Sequence, residues 1–219
     1  ESLTNTIDLF LQERVVNIFN LFHGTGFNLN PSQQQMNGYL QNLMETSSAF
    51  IDVGFLDNNG RQIGYAGPFP YLHGQDYINE FWFTSLMTQS ENYYVSDIYM
   101  GFRNKPHFTI AVKQLVDNKF YVMRATLDPD KFYLFLRSIG RGKSVDTALT
   151  NLKGEYEVVD PGQGAPLEQS HFKPNALSGS GVMEIGKNGT TELVAFSWLR
   201  EVPWVLSIRQ PLNIAYAGM

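Results

Sequence analysis

The chain has 219 residues, of which 43% are hydrophobic and 14% aromatic, with a net charge of −5 and a pI near 5.3. This composition is typical of a globular chain with one large or two small domains, and its charge provides no general basic field for nucleic acid. No cysteine is present, which excludes disulfides, a thiol nucleophile and thiolate metal sites.

A long amphipathic helix is the first predicted element, from Ser2 to Phe22. Apolar residues recur every three or four positions, which places them on one helical face. They are Leu3, Ile7, Leu11, Val15, Ile18 and Phe22. The sequence begins halfway into this pattern, and we expect a segment cut out of a longer protein. A second helix is predicted from Ser32 to Thr46.

Strand patterns follow the two helices. Phe50 to Leu56 and Gln62 to Ala66 flank a turn at Asn59-Gly60, and Asn-Gly is a strong hairpin signal because both positions tolerate positive φ. After a short helical stretch near residues 80–88, three more strands are predicted at 93–99, 107–115 and 119–127, the last two joined by a turn at Asp117-Asn118. Asp128-Pro129 then predicts the start of a helix, because proline suits the first helical turn.

Strands separated by turns resume after Gly140-Arg141-Gly142-Lys143, which is predicted to be a boundary. They are expected at 145–149, 156–159, 182–185, 193–198 and 204–208. Antiparallel strands with few helices indicate the α+β class. The expected organisation is a helical stalk at 1–46, a first module at 47–139, a second module at 140–211 and a short apolar tail at 212–219.

Catalytic and metal-binding motifs are missing from the sequence. The histidines at positions 23, 73, 107 and 171 lack the close spacing of a zinc site. No nucleophile elbow, phosphate-binding loop or dinucleotide fingerprint occurs. We therefore expect no cofactor and no catalysis by this chain, although a hydrolase that uses its carboxylates stays an alternative.

Aromatic residues are concentrated between Phe69 and Tyr99, among prolines and glycines. Amphipathic aromatic side chains on loops suit a small-molecule pocket, whereas the simpler alternative is a patch of hydrophobic core. The predicted pocket residues of this group are Tyr71, Tyr77, Trp82, Phe83, Tyr94 and Tyr99.

Three polar residues on the following strands are further candidates for ligand binding. His107 and Lys113 share one strand face, and Arg124 lies on a largely apolar face. A sheltered cation attracts an anion more strongly than it does in bulk water, and arginine matches a carboxylate with two hydrogen bonds. The alternatives are a solvated face for His107 and Lys113, and a structural ion pair for Arg124.

The order of these features resembles the double Cache (dCache) sensor domains. The motifs that carry the resemblance to the first module are Gly64 to Pro68, Phe81-Trp82-Phe83, Val95 to Tyr99 and Pro106 to Val112. The second half is similar to the membrane-proximal Cache module through Ala148 to Tyr156 and Pro203 to Leu206. The resemblance covers nearly the whole chain and is greatest to sensor regions of membrane-bound histidine kinases.

The resemblance implies a long N-terminal helix that leaves a first membrane span, two stacked PAS-like modules and a C-terminal lead-in to a second span. It implies an extracytoplasmic small-molecule sensor in a membrane-anchored histidine kinase, which we expect to be a homodimer. The same domain occurs in chemoreceptors and cyclic-dinucleotide synthases, and a free periplasmic binding protein is a further alternative.

Departures from the family pattern bear on the ligand. Members that bind amino acids carry Arg two residues before the tryptophan, Tyr directly after it and Asp two residues after the strand tyrosine. Those positions are Glu80, Phe83 and Gly101 here. The departures disfavour an ordinary α-amino acid, and His107, Lys113 and Arg124 favour instead a small anion such as an organic acid.

Overall fold

The computed structural model describes residues 2–24, 27–139, 146–187 and 189–211. Its helices are α1 (Leu3–Leu21), α2 (Gln33–Thr46), α3 (Phe81–Thr88) and α4 (Pro129–Ile139), with a short 3-10 helix at Pro70–Leu72. Its strands are β1 (Phe50–Leu56), β2 (Gln62–Ala66), β3 (Tyr93–Val95), β4 (Phe108–Val116), β5 (Lys119–Leu127), β6 (Asp146–Thr150), β7 (Tyr156–Val158), β8 (Ser180–Lys187), β9 (Thr190–Trp198) and β10 (Val205–Pro211).

The chain forms two compact units, and each has its own five-stranded antiparallel sheet. The first unit comprises residues 10–128, with strand order β2-β1-β5-β4-β3. The second comprises the chain up to Leu9 and from Pro129 onward, with strand order β7-β6-β10-β9-β8. The predicted α+β class with an N-terminal helix and two sheets is therefore confirmed.

Tight turns connect neighbouring strands of the first unit. The β1–β2 turn closes on Gly60, which has a φ of 81°. Between β4 and β5, Asp117 and Asn118 have φ values of 50° and 64°. Two successive positive φ angles give the turn the twist that an antiparallel hairpin requires, and the sequence predicts both connections correctly.

One predicted strand of the first unit is shorter than expected. The sequence predicts a strand over 93–99, whereas β3 ends at Val95. The ladder stops there because the N–H of Thr109 donates to the Ser96 hydroxyl, at 2.9 Å, rather than to a backbone carbonyl. Pairing resumes as an isolated bridge between Tyr99 and His107. The segment 100–106 is therefore a loop closed at its base by two backbone hydrogen bonds.

Helices α1 and α2 follow their predicted apolar patterns. Ile7, Leu11 and Ile18 of α1 are fully buried. Helix α2 begins with a capping box, in which Ser32 and Gln35 satisfy each other's backbone N–H groups, and it packs on β1 and β2. These contacts confirm the helical interpretation of both segments.

The second unit has a core around its central strand, β10. Trp204 and Val205 are fully buried, and Val205 clusters with Phe172, Val194 and Phe196. The indole N–H of Trp198 donates to the carbonyl of Ala176 at 2.9 Å, which fastens the long 161–179 connection to β9.

Packing divides the chain between Asp128 and Pro129, so that α4 groups with the second unit. The sequence instead places a module boundary at 139–140. The glycine-rich segment 140–143 and the apolar tail 212–219 lie outside the described residues. Among the described residues, no helix has the length and apolar character to cross a membrane.

The hydrogen bonds of Asp8 can be tested for their contribution to the stability of the second unit. Its carboxylate accepts hydrogen bonds from the backbone N–H groups of Arg200 and Glu201, at 3.0 to 3.1 Å, and so holds the β9–β10 loop to the start of α1. Because the Asp8→Ala change leaves these N–H groups without an acceptor, we expect the free energy of unfolding to fall by about 2 kcal/mol. Urea unfolding measures it.

The control is Asn20→Ala, on an exposed position of the same helix. We expect it to change the free energy of unfolding by no more than about 0.5 kcal/mol. Equal effects of the two variants would mean that the Asp8 hydrogen bonds contribute nothing.

Candidate functional site: a buried charge cluster beside a cavity

The polar centre of the first unit is Asp52, a fully buried residue in the otherwise largely apolar strand β1. Oδ1 accepts hydrogen bonds from Arg124 Nη1, at 2.7 Å, and from the Thr126 hydroxyl. Oδ2 accepts from the Tyr65 hydroxyl at 2.9 Å and from Arg103 Nη1 at 3.2 Å. Four donors thus occupy the roughly four lone-pair sites of one carboxylate.

The β-sheet brings most of these groups together. Asp52 pairs with Thr126 across β1 and β5, and Arg124 lies opposite Gly54. A Cβ atom on Gly54 would lie 1.9 Å from Gln62 Oε1 and 2.9 Å from Arg124 Nε. Only glycine at this position leaves room for the hydrogen bond from Arg124 Nε to Gln62 Oε1, at 2.9 Å.

Electrostatics keep the cluster ionised. Burial alone would raise the pKa of Asp52, but the guanidinium groups of Arg124 and Arg103, with the hydroxyls of Thr126 and Tyr65, hold it below its ordinary value. Burial is the largest single effect on Arg124 and would lower its pKa, but the Asp52 carboxylate together with Tyr77, Tyr99 and Tyr65 outweighs burial and raises the pKa. One carboxylate and two guanidinium groups leave one positive charge in excess.

Two guanidinium nitrogens of this cluster lack an acceptor among the described residues. They are Nη2 of Arg124 and Nε of Arg103, both in buried side chains. A buried N–H without an acceptor costs roughly 1–3 kcal/mol, and more for a charged group. These nitrogens are therefore natural donors to a ligand carboxylate.

A cavity lies directly beside the cluster. Its volume is about 10 Å³, which is room for roughly one water molecule. The residues that line it are Asp52, Leu72, Tyr77, Glu80, Tyr99, Gly101, Phe102, Arg103, His107, Arg124 and Thr126.

The loop 100–106 forms one wall of the cavity. Phe102, 44% exposed, packs edge-on against Tyr77, with ring centroids 5.2 Å apart. Gly101 has a φ of 61°, and a Cβ there would lie 2.8 Å from the His107 ring. A ligand larger than a water molecule requires part of the cavity lining to move, and Phe102 is an exposed aromatic side chain of that lining.

His107 is a neutral group of the cavity wall. Its Nδ1 lies 2.7 Å from the carbonyl of Lys105, and because a carbonyl only accepts, Nδ1 carries the hydrogen and Nε2 is left as an acceptor. Burial, followed by the charge of Arg103, lowers the pKa of His107 to about 4. His107 thus offers a ligand an acceptor rather than a positive charge.

Glu80 is the second carboxylate of the cavity. It is half-buried at the N-terminus of α3, and its side chain makes no capping hydrogen bond. Burial raises the pKa of Glu80. No hydrogen bond or ion pair from the described residues reaches this carboxylate.

Lys113 does not line the cavity. Its ammonium donates to the carbonyls of Leu86 and Gln89, at 2.7 and 2.8 Å, and so satisfies the C-terminal end of α3. Tyr71 also lies apart from the cavity, 59% exposed and packed against Phe69.

Of the nine residues predicted to bind ligand, the structure places four at the cavity: Tyr77, Tyr99, His107 and Arg124. Trp82 and Phe83 are in the adjoining hydrophobic core, and Tyr94 packs against it. Sequence reasoning missed Asp52, Glu80 and Arg103. A lone acid within Phe50 to Leu56 was a usable signal for Asp52, whereas nothing local marks the other two.

No family model matches the sequence, and no curated protein is detectably similar to it. Solved structures share the fold. The extracellular domain assigned to the histidine kinase rpHK1S-Z16 matches with a TM-score of 0.68 and 17% identity, over 99% of this chain and 90% of that one. The ligand-binding domain of the Pseudomonas fluorescens chemoreceptor CtaA, in complex with L-isoleucine, matches with a TM-score of 0.70 and 16% identity, over 99% of this chain and 91% of that one.

The ligand-binding domain of the Pseudomonas aeruginosa chemoreceptor PctB, in complex with L-arginine, gives a TM-score of 0.70 and 19% identity, over 99% of this chain and 86% of that one. An extracellular ligand-binding receptor from Desulfohalobium retbaense gives a TM-score of 0.71 and 10% identity. The match covers 94% of this chain, but this chain spans only 38% of the receptor's length. At these identities the comparison establishes the fold, and at that level the dCache resemblance is confirmed.

The sequence argument against an ordinary α-amino acid is wrong. CtaA and PctB share this fold and are solved with L-isoleucine and L-arginine. The argument treated the lack of arginine at position 80 as the lack of a carboxylate partner. The structure instead brings two buried guanidinium groups to the cavity from positions 103 and 124.

Replacing the central carboxylate tests the cluster. Asp52→Asn leaves two buried guanidinium groups without a counter-charge, and we expect the free energy of unfolding to fall by about 3–5 kcal/mol. Urea unfolding of the first unit measures it, with Glu45→Gln on exposed α2 as the control, expected within about 0.5 kcal/mol of the wild type. A cost below about 1 kcal/mol would show that Asp52 does not hold the site together.

Proton NMR tests His107. We expect its imidazole to titrate near pH 4, with signals assigned from a His107→Gln variant. Because the unfolded chain binds this proton near pH 6.5 and the folded chain does not, His107 lowers stability as the pH falls from 6.5 toward 4. A midpoint above pH 6 would contradict the buried neutral ring.

Proposed function

We propose that this chain is the extracytoplasmic small-molecule-sensing domain of a membrane-anchored signalling receptor, and that its ligand binds beside Asp52 in the first unit. The observation that carries the proposal is the buried Nη2 of Arg124, a residue of the cavity lining, which lacks an acceptor within the described part of the chain. A charged donor in that position gains most from a ligand acceptor, because little water competes for it.

The ligand that these groups favour is an α-amino acid. Its carboxylate would accept hydrogen bonds from Arg124 and Arg103, where one positive charge is in excess. Neighbours of the same fold that are solved with L-isoleucine, L-arginine and L-glutamine support this class. Tyr77, Tyr99 and His107 would shape the cavity around the ligand, and entry would require displacement of Phe102.

The receptor to which the domain belongs is proposed to be a sensor histidine kinase. Kinase extracellular domains are among the neighbours that cover nearly the whole chain. A chemoreceptor is the second candidate, because CtaA and PctB match equally well. Assay of the full-length receptor in membrane vesicles separates the two, since only a kinase phosphorylates itself with ATP.

The other predicted ligand-binding residues stay predictions. They are Tyr71, Trp82, Phe83, Tyr94 and Lys113. For Trp82, an indole N–H without an acceptor among the described residues is compatible with a contact that a ligand would complete. For Lys113, the two carbonyls at the end of α3 already occupy the ammonium.

Thermal unfolding with a panel of the twenty L-amino acids tests the proposed function. A ligand at 100 times its Kd stabilises the folded state by about 2.7 kcal/mol, which shifts the midpoint by several degrees. We expect at least one member of the panel to do so. Arg103→Gln should abolish the shift while leaving the fold intact, because Asp52 keeps its ion pair with Arg124.

Lys105→Gln is the matched control, an exposed residue of the same loop that does not line the cavity. We expect it to keep the full thermal shift. If Arg103→Gln and Lys105→Gln both retain the shift, the binding site lies elsewhere. If no amino acid stabilises the wild type, the ligand class is wrong.

A further inference from the structure

The cavity contains two carboxylates, and only one of them is free to accept a new hydrogen bond. Asp52 already accepts from Arg124, Thr126, Tyr65 and Arg103. Its lone-pair sites are thereby filled, and it cannot take a further donor without losing a present one. Among the described residues, Glu80 has no such partners. A cationic group in this cavity therefore finds at Glu80 a negatively charged acceptor, whereas the neutral Nε2 of His107 offers only an uncharged one.

Charges of opposite sign border the same cavity from different elements. Arg124 projects from the central strand β5, whereas Glu80 lies at the start of α3. Burial raises the pKa of both Tyr77 and Tyr99; Arg124 opposes this rise and Glu80 adds to it. Both tyrosines thus lie within electrostatic reach of both charges.

A cation beside Glu80 would also stabilise its ionised carboxylate. Its partial burial disfavours the charged carboxylate, and among the described residues neither an ion pair nor a capping hydrogen bond compensates. An ammonium group placed against it would supply that compensation. The same holds for Arg124, another residue of the cavity lining, whose Nη2 lacks an acceptor among the described residues.

We infer that the ligand is held as a zwitterion, with its ammonium group on Glu80 and its carboxylate on Arg124 and Arg103. This inference rests on the proposed function and adds an orientation to it. The ammonium acceptor is then a residue at the start of α3, and the Asp52 carboxylate serves only to hold the two arginines. A carboxylate without an amine would leave Glu80 unpaired and bind more weakly.

Titration calorimetry with matched ligands tests the orientation. For the tightest-binding amino acid of the panel, two analogues are compared with it: the acid without its amine and the amide without its carboxylate. For L-isoleucine these are 3-methylpentanoate and isoleucinamide. The proteins are the wild type, Glu80→Gln and the control Glu45→Gln, each checked for folding by circular dichroism.

We expect Glu80→Gln to weaken the amino acid and its amide at least tenfold, which is the range for a hydrogen bond between charged groups. The deaminated acid should bind Glu80→Gln within twofold of the wild type, because it has no ammonium to lose. Glu45→Gln should change none of the three affinities.

Equal weakening of all three ligands by Glu80→Gln would overturn the inference, since it would indicate a general effect on α3. Unchanged binding of the amino acid would overturn it as well and place the ammonium elsewhere. In both cases the proposed function stands, because an amino acid still binds. Failure of every amino acid to bind the folded wild type would remove both the inference and the proposed ligand class.

Discussion

A carboxylate in the interior of a β-sheet stays ionised only if positive charge and hydrogen-bond donors replace the water it has lost. Asp52 of β1 meets this requirement with groups from three other parts of the first unit: Tyr65 of β2, Arg124 and Thr126 of β5, and Arg103 of the loop 100–106. The register of the central strands and the position of the loop therefore depend on one side chain.

This arrangement separates two tasks that a binding site has to perform. The ion pair between Asp52 and Arg124 fixes a guanidinium group in one orientation, so that under the proposed function little side-chain entropy would be lost when a ligand accepts the N–H that has no acceptor among the described residues. Recognition of the rest of that ligand would fall to groups at the margin of the cavity, among them Glu80, His107 and Phe102. A preorganised centre and an adjustable margin together suit a sensor, which has to change shape when its ligand binds.

Local signals explain why much of the fold was predictable. The Asn59-Gly60 and Asp117-Asn118 turns and the capping box at Ser32 each depend on residues close together in sequence. The early end of β3 was not predictable, because it results from the Ser96 hydroxyl replacing a backbone acceptor for Thr109. The periodicity of a sequence indicates which face of a strand a residue occupies. It does not indicate which atom accepts each hydrogen bond between neighbouring strands.

The site was less predictable than the fold for the same reason. Arg124 stood out as a charge on an apolar face, whereas Arg103 meets Asp52 across 51 positions of sequence and carries no local mark. Lys113 was predicted to contact an anion, because it is a lysine on a strand beside the expected pocket. In the folded chain, its ammonium instead donates hydrogen bonds to carbonyls at the end of a helix that is 24 to 27 residues away in sequence.

The division between β5 and the loop has an evolutionary consequence. Asp52 and Arg124 cannot be exchanged singly without leaving a buried charge unpaired, so mutation at either position is strongly constrained. Among the described residues, Phe102 and Glu80 hold no partner of that kind, and Asp52 keeps Arg124 when Arg103 is lost. If the proposed site binds the ligand, point mutations at these three positions would change which ligand is bound while the sheet beneath them is inherited unchanged.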